Sequence, residues 1–533
     1  MLDTIIKNGR IADGTGNPWY YGDIGIQGGK IAMVGTVEQE AAHVIDARRL
    51  VVAPGFIDGH CHSDLMILNY PQCDIKLSQG VTTEVVGNCG LAPAPCLEPY
   101  GKQLQEYVQP ILGGTREWSW RTIGQYIDAL AKRRPSENVS TYVAHGALRI
   151  AVMGFADRPA SGRELDRMKA LLEEGLQAGA IGLSIGLLYA PGSYAAKEEI
   201  AALCSVLPKY GGLFSTHVRG EGNRLVESVK EVIWIARHAG VPLHISHLKA
   251  AGRRNWGKAE AAMELISDAR SQGMDVTCDV YPYNASSTML TTLLPPWALE
   301  GGLKKMLLRL RDPSIREKVK AELAEEREDW DNLVCSTGWD KVFIASVRTE
   351  SNRPVEGKHI AEISEMRGVH PAECAMDLLL EEDAQISIVY FLMSEGDVKQ
   401  VVTWSHSLIA SDSLHCDTGK PHPRLYGSFP RVFAKYVREE RALTLEQAVR
   451  KMTSFPAQRF KLGRRGLVVP GYAADLVVFD PEAIQDHATY RDPKQAPSGI
   501  GHVLVNGTLT MREGVHTNAK GGVFVPARRC CTH

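Results

Sequence analysis

Two histidines separated by one residue, His60 and His62, have the types and spacing of a metal site. They follow an apolar run, residues 50–53, and the segment 56–57, whose composition predicts a short buried strand. Because side chains alternate along a strand, the two imidazoles point the same way and can bind one divalent cation. A single pair of this kind is more often a polar surface feature. The metal hypothesis therefore depends on ligands further along the chain.

Further ligand-type side chains stand at the ends of later strand candidates, namely Cys89, His217, His247 and Asp412. Each alone is more often a packing or surface residue. His244 and His247 lie an odd number of positions apart, so only one can face the site; we choose His247, nearer the strand end, and treat His244 as structural. A thiolate binds zinc strongly, and the Asp412 carboxylate can reach both a metal and a water molecule. With His60 and His62, this set predicts a metal-dependent hydrolase.

The elements that must position these residues alternate between strands and helices. Eight strand candidates are present: one at 56–60, and the others at 80–90, 140–146, 180–186, 212–217, 241–247, 274–281 and 407–412. Residues 163–178 and 224–239 carry apolar side chains at helical spacing. This alternation predicts an α/β fold, a (β/α)8 TIM-like barrel, in which chemistry takes place at the C-terminal ends of the strands.

Two regions do not fit the alternation. Short strand patterns with glycine turns occur at both ends of the chain, which predicts a small β-sandwich domain formed from residues 1–55 and 465–533. The barrel then occupies residues 56–464. Between its seventh and eighth strands lie about 125 residues, far more than a usual loop. We interpret their first part, about 290–348, as an inserted lid that covers the site and shapes the substrate pocket.

Composition excludes several classes of protein. A net charge of −2 argues against a nucleic-acid-binding protein. No apolar run is long enough for a membrane span, and the first residues lack the pattern of a signal peptide. The eleven cysteines follow no disulfide spacing. These features predict reduced thiols in a cytoplasmic protein, with a small molecule as its partner and an oligomeric state that the sequence leaves open.

The order of motifs resembles the D-aminoacylase (N-acyl-D-amino-acid deacylase) family of the amidohydrolase superfamily. The matching segments lie at 54–64, 80–90, 215–222, 245–249, 279–283, 409–412 and 421–424. Many superfamily members carry a carboxylated lysine on strand four, whereas residues 182–187 contain none. The resemblance implies that Cys89 takes its place. Cys89, His217 and His247 would hold a tightly bound Zn2+, and His60, His62 and Asp412 would form a second, weaker site sharing Cys89.

The resemblance also implies a reaction and a substrate site. It implies hydrolysis of an N-acyl-D-amino acid, with Asp412 as general base and acid. It places four residues near the substrate carboxylate, namely Lys249, Tyr281, Ser287 and Arg424. The family has Ser-Asp-Gly after strand eight, whereas this chain has Ser411-Asp412-Ser413. The loop 414–420 that follows also differs, which leaves the preferred acyl group and side chain open.

Two alternatives remain from the sequence. The same barrel and metal could open a cyclic amide, as hydantoinases and dihydroorotases do. A non-catalytic barrel that serves as an assembly scaffold is the other reading, although the presence of every ligand position argues against it.

Overall fold

The computed structural model describes residues 1–114, 118–415 and 418–528. Residues 416 and 417 of the divergent loop 414–420 therefore lie outside the described residues. Within the described residues the strands are β1 (Leu2–Ile11), β2 (Tyr20–Gln27), β3 (Lys30–Gly35), β4 (Ala41–Asp46), β5 (Val51–Pro54), β6 (Phe56–Asp58), β7 (Val81–Val86), β8 (Asn138–Thr141), β9 (Val143–Ala144), β10 (Gly182–Gly186), β11 (Leu213–His217), β12 (Leu243–Ile245), β13 (Val276–Val280), β14 (Ala285–Met289), β15 (Val342–Ser346), β16 (Ser387–Phe391), β17 (Ser407–Ile409), β18 (Leu476–Phe479), β19 (Ile500–Val505), β20 (Thr508–Arg512) and β21 (Val515–His516).

The α-helices of the same described ranges connect and flank these strands. They are α1 (Met66–Asn69), α2 (Asp74–Leu77), α3 (Gly101–Leu112), α4 (Ile123–Arg133), α5 (His145–Met153), α6 (Gly162–Gln177), α7 (Lys197–Cys204), α8 (Leu225–Ala239), α9 (Lys258–Ser271), α10 (Leu303–Arg309), α11 (Pro313–Ala324), α12 (Leu333–Thr337), α13 (Ile360–Arg367), α14 (Pro371–Glu381), α15 (Glu395–Thr403), α16 (Arg424–Arg431), α17 (Leu445–Met452) and α18 (Ser454–Arg459). Among the residues described, no helix has both the length and the apolar character needed to cross a bilayer.

The central unit is a (β/α)8 barrel of parallel strands. Strands β6, β7 and β8 pair in that order, and β9 to β13 continue the series to β17. Tyr142 separates β8 from β9, which together occupy the third position. The first and eighth strands meet just beyond their ends, where the Asp412 N–H donates to the His60 carbonyl (2.7 Å) and the His62 N–H to the Ser413 carbonyl (3.0 Å). These bonds bring the residues after β6 beside those after β17.

The sequence pattern explains why the barrel strands are buried and where the covering helices begin and end. Every residue of β7 and β11 is buried, as expected for strands covered on both faces. Helix α6 begins with a capping box in which Ser161 accepts from the Glu164 N–H, and it buries a stripe of leucines and Met168. Helix α8 ends at Gly240, whose φ of 65° is the left-handed conformation that glycine adopts without strain. Both helices lie within one residue of the ranges that periodicity predicts.

The two ends of the chain meet in one nine-stranded sheet. Its central strand β5 pairs in parallel with β1 and antiparallel with β18, so it joins strands from the two ends directly. A single hydrophobic core contains Ile24 and Val52 from the N-terminal part and Leu476 and Leu504 from the C-terminal part. The barrel is therefore an insertion between the two halves of this sheet.

A second insertion separates β13 from β17. It contains the antiparallel sheet β14-β16-β15 and helices α10 to α14. The sheet begins at Ala285 and ends at Phe391, so the inserted unit is longer than the predicted range 290–348. The sequence also predicts helices at 314–328 and 394–402. The first begins one residue earlier and ends at Ala324, with Asp312 as its N-cap, and the second runs from Glu395 to Thr403.

Candidate metal centre

The barrel brings all six predicted ligands to the C-terminal ends of its strands, and all six are buried. His217 is the last residue of β11, and the others lie in the turns that follow β6, β7, β12 and β17. Three of them have left-handed backbone conformations, with φ of 53° at Cys89, 34° at His247 and 48° at Asp412. Non-glycine residues adopt such conformations rarely and at a cost in energy, and they cluster at functional sites. In each case the strand ends and the chain turns at the ligand itself.

Cys89 lies at the centre of the group. Its Sγ is 3.2 Å from His60 Nε2 and 3.5 Å from His247 Nε2. On the other side of His60, the Asp412 Oδ1 lies 3.4 Å from His60 Nε2 and 3.3 Å from His62 Nε2. Burial alone would raise the pKa of the Cys89 thiol, but the charges of His60 and His247 hold that pKa well below its usual value. A lowered pKa favours the thiolate, which is the form of cysteine that binds metals.

His217 completes the group from the opposite side. Its ring meets the His247 ring edge to face, with the centroids 4.4 Å apart. Both of its ring nitrogens are buried and make no hydrogen bond within the described ranges. A buried polar atom without a partner is costly, so a ligand for these nitrogens is expected. Thiolate, imidazole and carboxylate are the donors that zinc prefers, and the residues present fit that ion.

Two carboxylates that the sequence reasoning missed orient the histidines. Asp279 Oδ2 lies 3.1 Å from His60 Nδ1 and 2.9 Å from His244 Nε2, while its Oδ1 accepts the His247 N–H (2.8 Å). His244 thus has the structural position expected of it. Metal-binding histidines commonly donate their second ring N–H to such a carboxylate, which fixes the ring. Asp279 lies on β13 within the matching segment 279–283. The sequence therefore gives its position but not its role.

Glu221 has a comparable position four residues after His217. Its Oε1 is 3.1 Å from His247 Nδ1, 3.6 Å from His217 Nε2 and 2.5 Å from Lys249 Nζ. One buried carboxylate therefore contacts two of the histidines and a cation. It lies in the turn after β11, in a segment whose spacing gives no strand or helix pattern, so periodicity could not indicate where its side chain points.

The four residues that the resemblance places near the substrate carboxylate are grouped beside this cluster. The Arg424 guanidinium lies over the Tyr281 ring (4.6 Å to its centroid), and Lys249 Nζ is 5.7 Å from the same centroid. Arg424 Nη2 donates to the Ser287 carbonyl (3.1 Å), and its Nη1 is 2.8 Å from Asp412 Oδ2. Two cations thus lie close to the Tyr281 ring and next to the ligand group.

The fourth strand contributes no ligand but supports the cysteine. From β10, the Ser184 hydroxyl donates to the Gly87 carbonyl and accepts the Gly90 N–H (3.2 Å). These bonds clamp the turn that carries Cys89 from both sides. Gly87 and Gly90 have φ of 75° and 70°, and a Cβ on Gly90 would lie 2.8 Å from the Gly186 nitrogen. Only glycine fits this turn without movement of β10.

A neighbouring cluster of acidic side chains already has a cation supplied by the protein. Asp58, Cys61 and Glu84 form a buried cluster behind the ligand group. Lys76 Nζ lies 2.5 Å from Asp58 Oδ2 and 2.7 Å from Glu84 Oε1. This ammonium is the cation of the cluster. Asp58 also accepts the Ser411 N–H (2.9 Å), which ties β6 to the start of the Asp412 turn.

Comparison with known proteins places this chain among the amidohydrolases. Residues 43–511 match the model of a group described as the amidohydrolase family. The chain is 35% identical over 522 residues to a D-aminoacylase of Alcaligenes xylosoxydans xylosoxydans, covering 98% of this chain and 97% of the relative. It is also 35% identical over 524 residues to an N-acyl-D-glutamate deacylase of the same organism, covering 98% and 96%.

A solved structure shows the same likeness in three dimensions. The N-acyl-D-glutamate deacylase of Bordetella bronchiseptica, in complex with zinc and a phosphonate that mimics the tetrahedral intermediate, superposes with a TM-score of 0.83 at 34% identity. The match covers 99% of this chain and 100% of that one.

Proposed function

Because this chain belongs to the D-aminoacylase family of the amidohydrolase superfamily, we propose that it hydrolyses the amide bond of N-acyl-D-amino acids with zinc as its cofactor. The observation that carries the proposal is the buried convergence of Cys89, His217 and His247, in which neither ring nitrogen of His217 makes a hydrogen bond within the described part of the chain. Zinc bound there would act as a Lewis acid for the amide carbonyl. It would also lower the pKa of a nearby water, so that this water can lose a proton and attack at neutral pH.

The proposed ligand assignment divides the six residues into two groups. Cys89, His217 and His247 hold the tightly bound ion. His60, His62 and Asp412 form a second, weaker position that shares Cys89, and the 3.2 Å separation of Cys89 Sγ and His60 Nε2 supports this sharing.

Asp412 is the proposed general base and acid. Burial alone would raise its pKa, but the charges of Arg424, His247 and His60 hold that pKa well below its usual value. The carboxylate is therefore ionised at neutral pH and accepts a proton from the attacking water. It then returns this proton to the nitrogen of the leaving amine, so that the D-amino acid departs with a neutral amino group.

The substrate carboxylate is proposed to bind between Arg424 and Lys249 beside Tyr281 and Ser287. Arg424 Nε is buried and makes no hydrogen bond within the described ranges, so a donor is available. Guanidinium groups recognise carboxylates with paired hydrogen bonds. Holding this carboxylate fixes the α-carbon, and the amide then extends towards the metal ligands. The residues at the barrel mouth thus orient the substrate through the charge of its carboxylate and the configuration of its α-carbon.

A stereospecific panel with metal counting tests this function. The purified, zinc-loaded protein is assayed with N-acetyl-D-methionine, N-acetyl-L-methionine and a cyclic imide, and its zinc content is measured. We expect release of acetate from the D-substrate alone and at least one zinc per chain. Hydrolysis of the cyclic imide alone would instead support a hydantoinase-like enzyme, and a protein that binds no zinc would support a scaffold.

A further inference from the structure

A cavity of about 380 Å3 opens beside the metal ligands, between the barrel mouth and the second insertion. Its inner wall is Tyr189, whose ring lies 5.0 Å from the His217 ring. The Tyr189 hydroxyl is 3.2 Å from Thr288 Oγ1 on β14. Further out, Tyr194, Trp297 and Trp330 line it with Leu294. A side chain bound here would lie on aromatic and aliphatic surfaces.

Arg219 is the single cation among the described lining residues, and its donors are already bonded to other groups. Arg219 Nε and Nη2 donate to the Glu231 carboxylate at 3.1 and 3.0 Å. Its Nη1 donates to the Ser193 carbonyl and its Nη2 to the Ala195 carbonyl, each at 2.9 Å. This guanidinium has no spare pair of donors for a second carboxylate.

The remaining charged groups of the lining are acidic. They are Asp157, Asp329 and Asp331. Asp157 is exposed at the rim, and Asp331 accepts the Gly222 N–H (2.8 Å) in the wall. An anionic group that enters this cavity meets carboxylates, and the described lining offers no free cation to pair with it. Because like charges repel in a partly desolvated cavity, binding of an anionic group is disfavoured.

The cavity lies next to the residues proposed to bind the substrate carboxylate. Thr291 and Thr292 line it and stand four and five residues after Ser287 on one continuous segment. The carboxylate and the side chain of an amino acid are attached to the same carbon atom. A cavity beside the carboxylate site is therefore within reach of the side chain, and the Tyr189 contact to Thr288, the neighbour of Ser287, links the two.

We propose, building on the function proposed above, that this cavity selects N-acyl-D-amino acids with large neutral side chains and excludes those with acidic side chains. Similarity does not decide this point, since the D-aminoacylase and the N-acyl-D-glutamate deacylase are equally similar to the chain. The buried Trp330 Nε1 makes no hydrogen bond in the described part of the chain, so one donor is available to a side chain that carries a neutral acceptor.

A comparison of substrates that share the acetyl group and differ in the side chain tests this selection. For the zinc-loaded protein we expect kcat/KM for N-acetyl-D-phenylalanine and N-acetyl-D-methionine to exceed that for N-acetyl-D-glutamate by about 100-fold or more. It should also exceed that for N-acetyl-D-alanine by about tenfold. A preference for the glutamate or aspartate substrate overturns the inference while leaving the proposed function intact.

A binding measurement separates this inference from the catalytic proposal. The zinc-loaded Asp412→Asn variant is titrated calorimetrically with N-acetyl-D-phenylalanine and N-acetyl-D-glutamate. Tighter binding of the first supports the inference even if the wild-type protein hydrolyses neither compound, in which case only the proposed function fails. Equal or reversed affinity contradicts it.

Substitutions at two positions in the wall make the test specific. Thr292→Arg places a free guanidinium in the cavity, and we expect the ratio of kcat/KM for the glutamate over the phenylalanine substrate to rise about tenfold or more. Thr292→Met adds similar bulk without charge and should not raise that ratio. Trp330→Phe, which removes the indole N–H together with part of the aromatic surface, should lower kcat/KM for N-acetyl-D-methionine more than for N-acetyl-D-alanine. The matched control is Trp234→Phe on α8, where the tryptophan is 38% exposed and remote from the cavity. If Thr292→Arg leaves the ratio unchanged in a folded, zinc-containing protein, the assignment of the cavity to the side chain is wrong.

Discussion

Arg424 Nη1 lies 2.8 Å from Asp412 Oδ2, and both side chains are buried. The residue proposed to bind the substrate carboxylate and the residue proposed to move the proton are thus an ion pair. A substrate carboxylate that binds Arg424 competes with Asp412 for the same guanidinium. Substrate binding and base activation are therefore coupled through this one contact.

Replacement of Arg424 by Met should lower kcat/KM for N-acetyl-D-methionine by about 10- to 100-fold, the cost of losing a charge-assisted hydrogen bond. N-Acetyl-D-methioninamide has no carboxylate, so its slower hydrolysis should fall only by the smaller part of the effect that Arg424 exerts through Asp412. The control is Arg431→Met on the same helix, since Arg431 pairs with Asp486 at 3.1 Å instead. Equal losses for the two substrates would show that Arg424 does not bind the carboxylate.

Replacement of Asp412 by Asn should lower kcat by about 100- to 10,000-fold, the usual contribution of a general base. The zinc content should stay close to that of the wild-type protein, because Cys89, His217 and His247 remain. The measurements are steady-state kinetics and metal analysis on the same preparation. A variant with the wild-type kcat would refute the assigned base.

Replacement of Asp279 by Asn should weaken zinc binding by about 10- to 100-fold, since Asp279 orients His60 and His247 without contacting the ion. A competition titration with a chelator measures this change. Asp275→Asn is the matched control, because Asp275 lies just before the same strand and is largely exposed, with Arg459 as its partner. Unchanged zinc affinity in Asp279→Asn would mean that this carboxylate has a purely structural role.

Glu199 provides a test of the electrostatics away from the metal ligands. Burial raises its pKa, but its bonds to His145 and Arg149 lower that pKa from 4.5 to about 2. A lowered carboxyl pKa stabilises the fold above the unfolded-state value, and this stabilisation is lost as the pH falls from 4.5 towards 2. We expect the stability difference between metal-free wild-type protein and Glu199→Gln to shrink by about 2 kcal/mol between pH 6 and pH 3.

Urea unfolding of the two proteins at each pH measures this difference. Glu198→Gln, at the neighbouring exposed position, is the control and should follow the wild-type curve. If the difference between wild-type protein and Glu199→Gln is the same at both pH values, the buried ion pair does not contribute in the way described.

The sequence predicts the barrel and the positions of the ligands because both depend on local patterns. Helical spacing identifies α6 and α8 to within a residue. His60 and His62 lie in the turn just after β6 and not on the strand itself, and both contact Asp412 as the pairing of the two histidines predicts. The sheet of the second insertion is not predicted, because β14 and β16 are separated by about 100 residues and pair through non-local contacts. Glu221 and Asp279 are missed for a similar reason. A carboxylate that orients a histidine is defined by distance in space, not by spacing along the chain.

The central claim is that Cys89, His217 and His247 bind one zinc ion at the mouth of the barrel. Anomalous diffraction at the zinc absorption edge, from crystals of the zinc-loaded protein, tests it most directly. We predict one strong peak about 2.0–2.3 Å from Cys89 Sγ and from a ring nitrogen of each histidine. A zinc peak elsewhere, with these three side chains turned away from one another, would contradict the account.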